Sequence, residues 1–361
     1  LCYLNLATWF SRAPYNPLTG ASRWNEACVP VYTTGTSIDT GGQPRESLRT
    51  VYGRIDQDID RAIELLEKAR ETTLAENNKS HINLYVALGI KSRACLAEGD
   101  WDGAFKAAKR VIDEGGYAVG TKSDLTGGMN SLGKQNVMWG AGIQVADQAG
   151  GYAGFFTHMD NKEGAYAKSA PKLISKQLYN RISATDIRRD WWDPSDKESP
   201  YVSKKFSFGN VASFLGDYIY MRVEEMYFTA AEAALRLDDL KSARELMNTV
   251  MAERDPGYSA NNRSGTLLGA TTTTWTGSFL ENILTHRRIE LWGEYGRLFD
   301  VRRLGQGIDR RTDDGFSEEC ISMMNRRNVN ITKADTYDWV LTIPKAELDA
   351  NPNINEEDQN P

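Results

Sequence analysis

The sequence predicts a mainly α-helical protein in which tetratricopeptide-like helix pairs form a right-handed superhelix, with long irregular loops and a few short strands. Residues 83–114 and 220–254 each show an apolar helix, a short turn and a second helix. Residues 51–70 precede them as an amphipathic helix, with apolar side chains on one face and charges on the other. Recurrence of apolar residues every three or four positions is typical of helices that bury one face.

The two helix pairs match each other residue by residue. When Trp101 is aligned with Leu240, small or apolar residues coincide along both units. The aligned pairs are Ser92 and Ala231, Cys95 and Ala234, Ala104 and Ala243, and Val111 and Val250. Small side chains at matching positions let antiparallel helices approach closely, so the sequence predicts two copies of one unit.

The segment between the two units has a different composition, rich in Gly, Ser and aromatic residues. Residues 137–145 are predicted to form a buried strand, and residues 201–208 another short one. Residues 140–166 combine many glycines with aromatic side chains, which favours a long irregular loop. Loops of that length inside a compact domain often have a function.

We expect one domain over residues 1–361, in four parts. These are N-terminal helices with the first repeat at 1–116, a loop and strand insert at 117–216, the second repeat at 217–254, and a helix, loops and tail at 255–361. A short strand is predicted at 339–343. The chain starts at Leu1 within a helical pattern that has no capping residue ahead of it, so we expect an N-terminal portion to precede it.

Composition excludes several classes of function. The formal net charge is −6, from 43 basic and 49 acidic side chains, which argues against a nucleic-acid-binding protein. No apolar run approaches the length of a transmembrane helix. The four cysteines form no CxxC motif and only three histidines occur, so we expect no metal site and no cofactor.

Catalytic motifs are weak. Residues 128–135 nearly match a phosphate-binding loop, but Gln135 stands where Ser or Thr would bind Mg²⁺. Adjacent carboxylates such as Asp238 and Asp239 fit turns and helix caps better than a glycosidase, whose two carboxyl groups face each other across a cleft. The sequence therefore predicts that the protein is not an enzyme.

Residues 282–305 mix charged and apolar side chains along a helical pattern. The charged residues of interest are Arg287, Arg288, Glu290, Glu294 and Arg297. Arg288 lies on the apolar stripe itself, and a buried charge needs a partner. Arg287 with Glu290, and Glu294 with Arg297, have the i,i+3 spacing of helix ion pairs. We expect an internal ion-pair lattice that locks the last helices onto the repeats and does not contact a ligand.

Four blocks, in order, match known motifs. Tyr52, Ile55, Asp58, Ile59 and Ala62 fit Y-x-x-I-x-x-D-L-x-x-A. Residues 220–254 fit R-x-x-E-x-Y-L-x-x-A-E-A and a following A-x-x-x-x-N-x-x-R-x-R, except at Met251. NILTHRRIELWGEYGRLFDVRRLG at 282–305 and IPKAEL…NP…QNP at 343–361 complete the set, and Asp186-Ile187-Arg188 adds a D-x-R element. Together they resemble the signatures of the SusD/RagB family.

The resemblance implies a SusD-like fold and a function. Members of that family are lipoproteins of the Bacteroidetes outer membrane that face the outside of the cell. They bind nutrients, usually glycans, and partner a SusC-like, TonB-dependent transporter. We therefore expect non-catalytic binding of an oligosaccharide or polysaccharide, delivery to such a transporter, and membrane attachment only through an N-terminal lipid anchor that this sequence lacks. The alternative is a tetratricopeptide-type scaffold that binds protein partners.

Glycan binding needs flat apolar rings for sugar C–H groups and polar side chains for hydroxyl groups. The candidates for stacking are Trp191, Trp192, Tyr152, Phe155, Tyr166 and Trp275. The candidate polar residues are Asn161, Asp160 and Asn210, with Arg189. The alternative, that these rings anchor loops onto the core, is favoured for Trp192 and stays open for the others.

Overall fold

A computed structural model of the protein describes residues 1–16, 19–37, 39–70, 78–145, 154–261, 278–306 and 339–360. Its helices are α1 (Cys2–Phe10), α2 (Leu48–Arg70), α3 (Leu84–Glu98), α4 (Trp101–Glu114), α5 (Lys122–Thr126), α6 (Phe155–Met159), α7 (Ala165–Ser169), α8 (Lys176–Tyr179), α9 (Val223–Arg236), α10 (Leu240–Ala252), α11 (Phe279–Glu290), α12 (Arg297–Arg303) and α13 (Lys345–Ala350). Its strands are β1 (Val137–Ala141), β2 (Trp192–Asp193), β3 (Val202–Ser203) and β4 (Tyr218–Arg222). The mainly helical fold class is confirmed.

The two predicted repeats form the centre of the molecule. Helices α3 and α4 make the first pair, α9 and α10 make the second, and α4 packs against α9. Every aligned small position is at most 3% exposed: Ser92, Cys95, Ala104, Val111, Ala231, Ala234, Ala243 and Val250. The small residues therefore lie where they let the helices approach, as the alignment predicted.

The two turns use the same local geometry with different residues. Gly99 has φ 78° and Asp238, its counterpart, has φ 63°. In each unit the next residue, Asp100 or Asp239, caps the second helix by accepting a hydrogen bond from the backbone amide three residues further on. A left-handed residue that ends one helix and an aspartate that begins the next define a tight helix–helix connection.

Strands β1 and β4 form an antiparallel ribbon that lies against the repeats. Met138 and Met221 point from the ribbon into the core formed by the helix pairs. A second core lies largely within the insert and contains Trp191, Trp192 and Phe206. None of the described helices has both the length and the apolar character needed to cross a membrane.

Several boundaries differ from those predicted. The strand predicted at 339–343 is absent, and this segment joins α1 through one backbone hydrogen bond, from Leu341 to the carbonyl of Trp9 at 2.8 Å. The predicted strand at 201–208 shortens to Val202–Ser203. The predicted loop at 140–166 contains α6 and the start of α7, while residues 146–153 lie outside the described residues.

Glycines divide the charged segment into two helices. Helix α11 ends at Glu290, and Gly293 and Gly296 then adopt φ values of 75° and 120° before α12 begins. Such values strain any residue with a Cβ atom, so glycine permits the break. The single helical stripe inferred for this segment is therefore wrong beyond Glu290.

Glu290 lies at the centre of a buried ion-pair cluster. Its Oε2 atom is 3.1 Å from Nη1 of Arg188 and 2.9 Å from Nε of Arg254, and its Oε1 atom is 3.0 Å from Nη1 of Arg222. All four side chains are fully buried. Burial opposes ionisation of Glu290, but the three arginines outweigh it and hold the pKa of its carboxyl well below the usual value.

The pairs inferred from i,i+3 spacing are replaced by longer-range ones. Nε of Arg287 lies 2.9 Å from Oδ2 of Asp300, not beside Glu290. Arg297 donates to the side chain of Gln306 at 2.9 Å. The cations that pair with Glu294 are Lys205 and Arg222, which lie far from it in the sequence. Arg288 is half-buried, and the three arginines on Glu290 are Arg188, Arg222 and Arg254.

Replacement of the cap of α10 tests the turn geometry. We expect Asp239→Ala to lower the free energy of unfolding by about 1 kcal/mol, because the amide of Ser242 loses its acceptor. Urea unfolding followed by circular dichroism measures this change. Lys241→Ala, with a side chain that is 85% exposed in the same turn, is the control and should change little. Equal stability of Asp239→Ala and wild type would contradict the capping role.

Removal of the central charge tests the cluster. We expect Glu290→Gln to destabilise the protein by about 3–5 kcal/mol, since three buried arginines lose their shared counter-ion. Glu245→Gln is the matched control, because Glu245 is 64% exposed and lies 3.8 Å from Lys241. Its loss should cost less than about 1 kcal/mol in the same unfolding assay. A cost of Glu290→Gln no larger than that of the control would refute the central role.

Acid pH tests a neighbouring carboxylate. Burial alone would raise the pKa of Glu232, but Arg303 and Arg236 outweigh it and lower the pKa from 4.5 to about 2. The folded-state pKa is below the unfolded one, so this stabilisation is complete above pH 4.5 and is lost as the pH falls toward 2. Its size is on the order of 3 kcal/mol.

We therefore expect the urea midpoint to decline below about pH 4.5. Glu232→Gln should flatten this decline, and Glu245→Gln should retain it. The expectation fails if the decline is equally steep in wild type and in Glu232→Gln.

Candidate functional site

An aromatic cavity of about 400 Å³ opens beside the β1–β4 ribbon. Its rings are Trp139, Phe155, Phe206, Tyr218, Tyr220 and Tyr295. Asn5, Arg93 and Glu294 are its polar side chains. A concave, largely apolar site with a few polar groups is the usual form of a small-molecule site in proteins.

The β1–β4 ribbon places two of these rings. Because Met221 points into the core, its neighbour Tyr220 points to the opposite face of β4. Trp139 lies at a register irregularity of β1, where it packs partly against the same core and also borders the cavity. The two rings meet edge to face, with centroids 5.1 Å apart. Tyr220 is 40% exposed, so a ligand in solvent can reach this wall.

Helix α6 and the turn after α11 provide other walls. Phe155 packs edge to face on Phe206 at 5.3 Å and on Tyr218 at 5.9 Å between ring centroids. Beyond Gly293, Glu294 and Tyr295 complete the lining. The charged segment was expected to avoid any ligand site, yet three of its residues, Gly293, Glu294 and Tyr295, border this cavity.

Buried counter-ions hold the two charged side chains of the cavity. Arg93 donates to Glu225 through Nε and Nη2 at 2.8 and 2.7 Å. Glu294 accepts from Arg222 in two hydrogen bonds of 2.8 Å each, and also from Lys205. Burial opposes the charge of Lys205 most strongly and lowers its pKa to about 8, although Glu294 favours the charged form.

Phe155 is the one predicted stacking residue that the described structure places at this cavity. Sequence reasoning placed Trp139 in the core, against which it does pack in part, and Tyr220 at the start of a helix, so neither was predicted to bind a ligand. The available signal was the alternation of Tyr218 and Tyr220 in YIYMR, which is typical of a strand with one exposed face.

The structure contradicts stacking by Trp191 and Trp192, which are 2% and 1% exposed. Nε1 of Trp191 donates to the carbonyl of Leu125 at 2.9 Å, and Trp192 packs edge to face on Trp292. They follow Arg188, whose buried ion pair with Glu290 draws this segment into the core. Both rings anchor the insert, which was the favoured alternative for Trp192.

A second, polar cavity of about 430 Å³ lies near the D-x-R element. Arg189 lines it, and its guanidinium lies 4.3 Å from the centroid of the Tyr179 ring. Trp192 also borders it but is buried. Although slightly larger than the aromatic cavity, it presents no comparable set of accessible rings among the described residues.

The remaining aromatic candidates lie elsewhere. Tyr166 is 37% exposed and stacks in parallel on His158, with centroids 4.6 Å apart, and neither ring lines the aromatic cavity. Tyr152 and Trp275 lie outside the described residues.

The predicted polar residues hold backbone segments together. The buried carboxylate of Asp160 accepts from the amides of Lys162, Glu163 and Phe208. Asn161 bonds the backbone of residues 172 and 203. Asn210 accepts from the amide of Ser213 within a turn. None of these three lines the aromatic cavity, so the structure gives them a structural role.

Comparison with known proteins identifies the family. The SusD family model matches residues 158–361, which is more than half of the chain. A SusD-like carbohydrate binding protein from Bacteroides vulgatus is 26% identical, with a TM-score of 0.77 over 99% of this chain and 74% of that one. A SusD superfamily protein from Bacteroides thetaiotaomicron is 21% identical, with a TM-score of 0.74 over 99% of this chain and 75% of that one.

Surface glycan-binding protein A from Bacteroides uniformis shares the fold at 18% identity, with a TM-score of 0.63 over 99% of this chain and 75% of that one. No curated protein matches the sequence. The family model and the shared fold agree with the four sequence blocks and with the helix pairs, and the chain belongs to the SusD/RagB family.

Proposed function

We propose that this protein binds an oligosaccharide or polysaccharide without chemical conversion and that the aromatic cavity is where it does so. The observation that carries the proposal is a cavity that solvent can reach and that six aromatic rings surround. A relative at 26% identity is described as a carbohydrate binding protein, which supports the same class of ligand here.

The walls suit a pyranose ring. Sugar C–H groups pack on the faces of aromatic rings, and Trp139 and Tyr220, which meet edge to face, both line the cavity wall. Hydroxyl groups of the sugar can exchange hydrogen bonds with Tyr218, Tyr220 and Asn5. The geometry provides binding and orientation, and a reaction is not needed to explain it.

Delivery is the second part of the proposal. Family membership supports a role at the outer cell surface, with a lipid anchor and a SusC-like, TonB-dependent transporter as the partner. Modest affinity per site is sufficient for that role, because several protein molecules on one cell can engage one polysaccharide chain.

Binding to a panel of polysaccharides and oligosaccharides tests the site. We expect Tyr220→Ala and Trp139→Ala each to weaken binding by roughly tenfold or more, since each removes a central ring. Tyr15→Ala is the matched control, because Tyr15 is 42% exposed but lies outside the cavity. Affinity electrophoresis and calorimetry measure binding, and thermal unfolding checks the fold of each variant.

Two outcomes would count against the proposal. Absence of binding to the whole panel would remove the glycan role. Binding that survives both cavity variants but is lost in Tyr166→Ala would move the site to the exposed ring pair of His158 and Tyr166.

A further inference from the structure

We propose that the aromatic cavity selects uncharged sugars and rejects anionic ones such as uronic acids. This inference rests on the proposed glycan-binding function and adds the chemical class of the ligand. It follows from how the charges at the cavity are already paired.

Arg93 is the cationic side chain among the described residues that line the cavity. Both oxygens of Glu225 accept from it, at 2.8 and 2.7 Å, and Nη2 also donates to the carbonyl of Tyr220 at 2.8 Å. The flat face of the guanidinium lies 3.8 Å from the centroid of the Tyr295 ring. Its side chain is 6% exposed, so its charge and most of its donors are committed within the protein.

The negative charge of Glu294 is likewise balanced by cations buried behind the cavity wall. Arg222 donates two hydrogen bonds of 2.8 Å to its carboxylate, and the buried ammonium group of Lys205 adds a third. The Glu294 side chain is 9% exposed. Among the described side chains of the lining, Arg93 is therefore the cation and Glu294 the anion, and each is paired with buried counter-ions behind the wall.

A carboxylate on a sugar would find no unpaired cationic side chain in the described lining. To bind Arg93 it would have to displace Glu225, whose side chain is 2% exposed and would remain charged and buried, with the more distant Arg287 at 3.7 Å as its counter-ion. Removing the hydrogen-bonded partner of a buried charge is strongly unfavourable. The ring faces cannot compensate, because the face of an aromatic ring carries partial negative charge. A neutral hydroxymethyl group at the same position meets neither penalty.

Matched pairs of polysaccharides test this selectivity with the whole protein. Each pair is a uronic-acid polymer, such as polygalacturonate, glucuronan or alginate, and the same polymer after reduction of its carboxyl groups to hydroxymethyl groups. We expect at least roughly tenfold tighter binding to the reduced member of any pair that binds. The affinity of the protein for the reduced polymer should stay nearly constant between about 0.05 and 0.5 M salt, because no exposed ion pair forms.

A charge variant tests the cause. Glu225→Gln removes the counter-ion of Arg93 and should raise affinity for the acidic member, with an added dependence on salt. The double variant Arg93→Gln with Glu225→Gln removes both charges and should retain the preference of the wild type for the neutral member. Thermal unfolding checks both variants, and the wild-type comparison decides the question if the single variant does not fold.

Failure of this inference is distinct from failure of the proposed function. The selectivity would be overturned if the acidic polymer bound as tightly as its reduced counterpart and the Tyr220→Ala variant lost that binding. Glycan binding at the cavity would then remain intact. If the neutral polysaccharides of the panel do not bind either, the glycan-binding function itself is wrong.

Discussion

Three arginines from distant parts of the chain converge on the buried carboxylate of Glu290. They lie 102, 68 and 36 residues before it in sequence, in the 3₁₀ turn Ile187–Trp191 within the insert, at the end of β4 and just after α10. Charges buried this deeply are tolerated only when every partner is in place. The cluster therefore fixes the insert, the ribbon, the second repeat and α11 relative to one another, and the fold depends on that arrangement.

The same cluster positions the aromatic cavity. Arg222 follows Tyr220 by two residues in β4, and it binds both Glu290 and Glu294. Side chains two residues apart on a strand lie on the same face, so the ion pairs of Arg222 fix β4 directly beside the Tyr220 ring. A wall fixed before the ligand arrives loses little conformational entropy on binding, which favours affinity from a modest number of contacts.

Local patterns predicted the parts of the fold that depend on neighbours in sequence. The helix pairs, their small interface residues and the turn and cap at Asp238 and Asp239 follow from short-range periodicity and capping. The spacing rules for ion pairs apply only to residues three or four positions apart on one helix. They therefore could not predict Arg188, Arg222 or Arg254 as the partners of Glu290. The cavity escaped prediction for the same reason, since Trp139 and Tyr220 meet across two strands that are far apart in the chain.

The residues at the end of α11 contribute both to the stability of the fold and to the proposed selection of neutral sugars. Nζ of Lys205 donates to the carbonyls of Glu290 and Trp292 at 2.7 and 2.8 Å, so one lysine satisfies acceptors released by the break at Gly293. It also neutralises Glu294, which the break turns toward the cavity. A ligand cannot use a charge that the fold already needs for its own stability. Selection of neutral sugars would then follow from the way the protein keeps its buried charges paired, without any residue dedicated to rejecting acids.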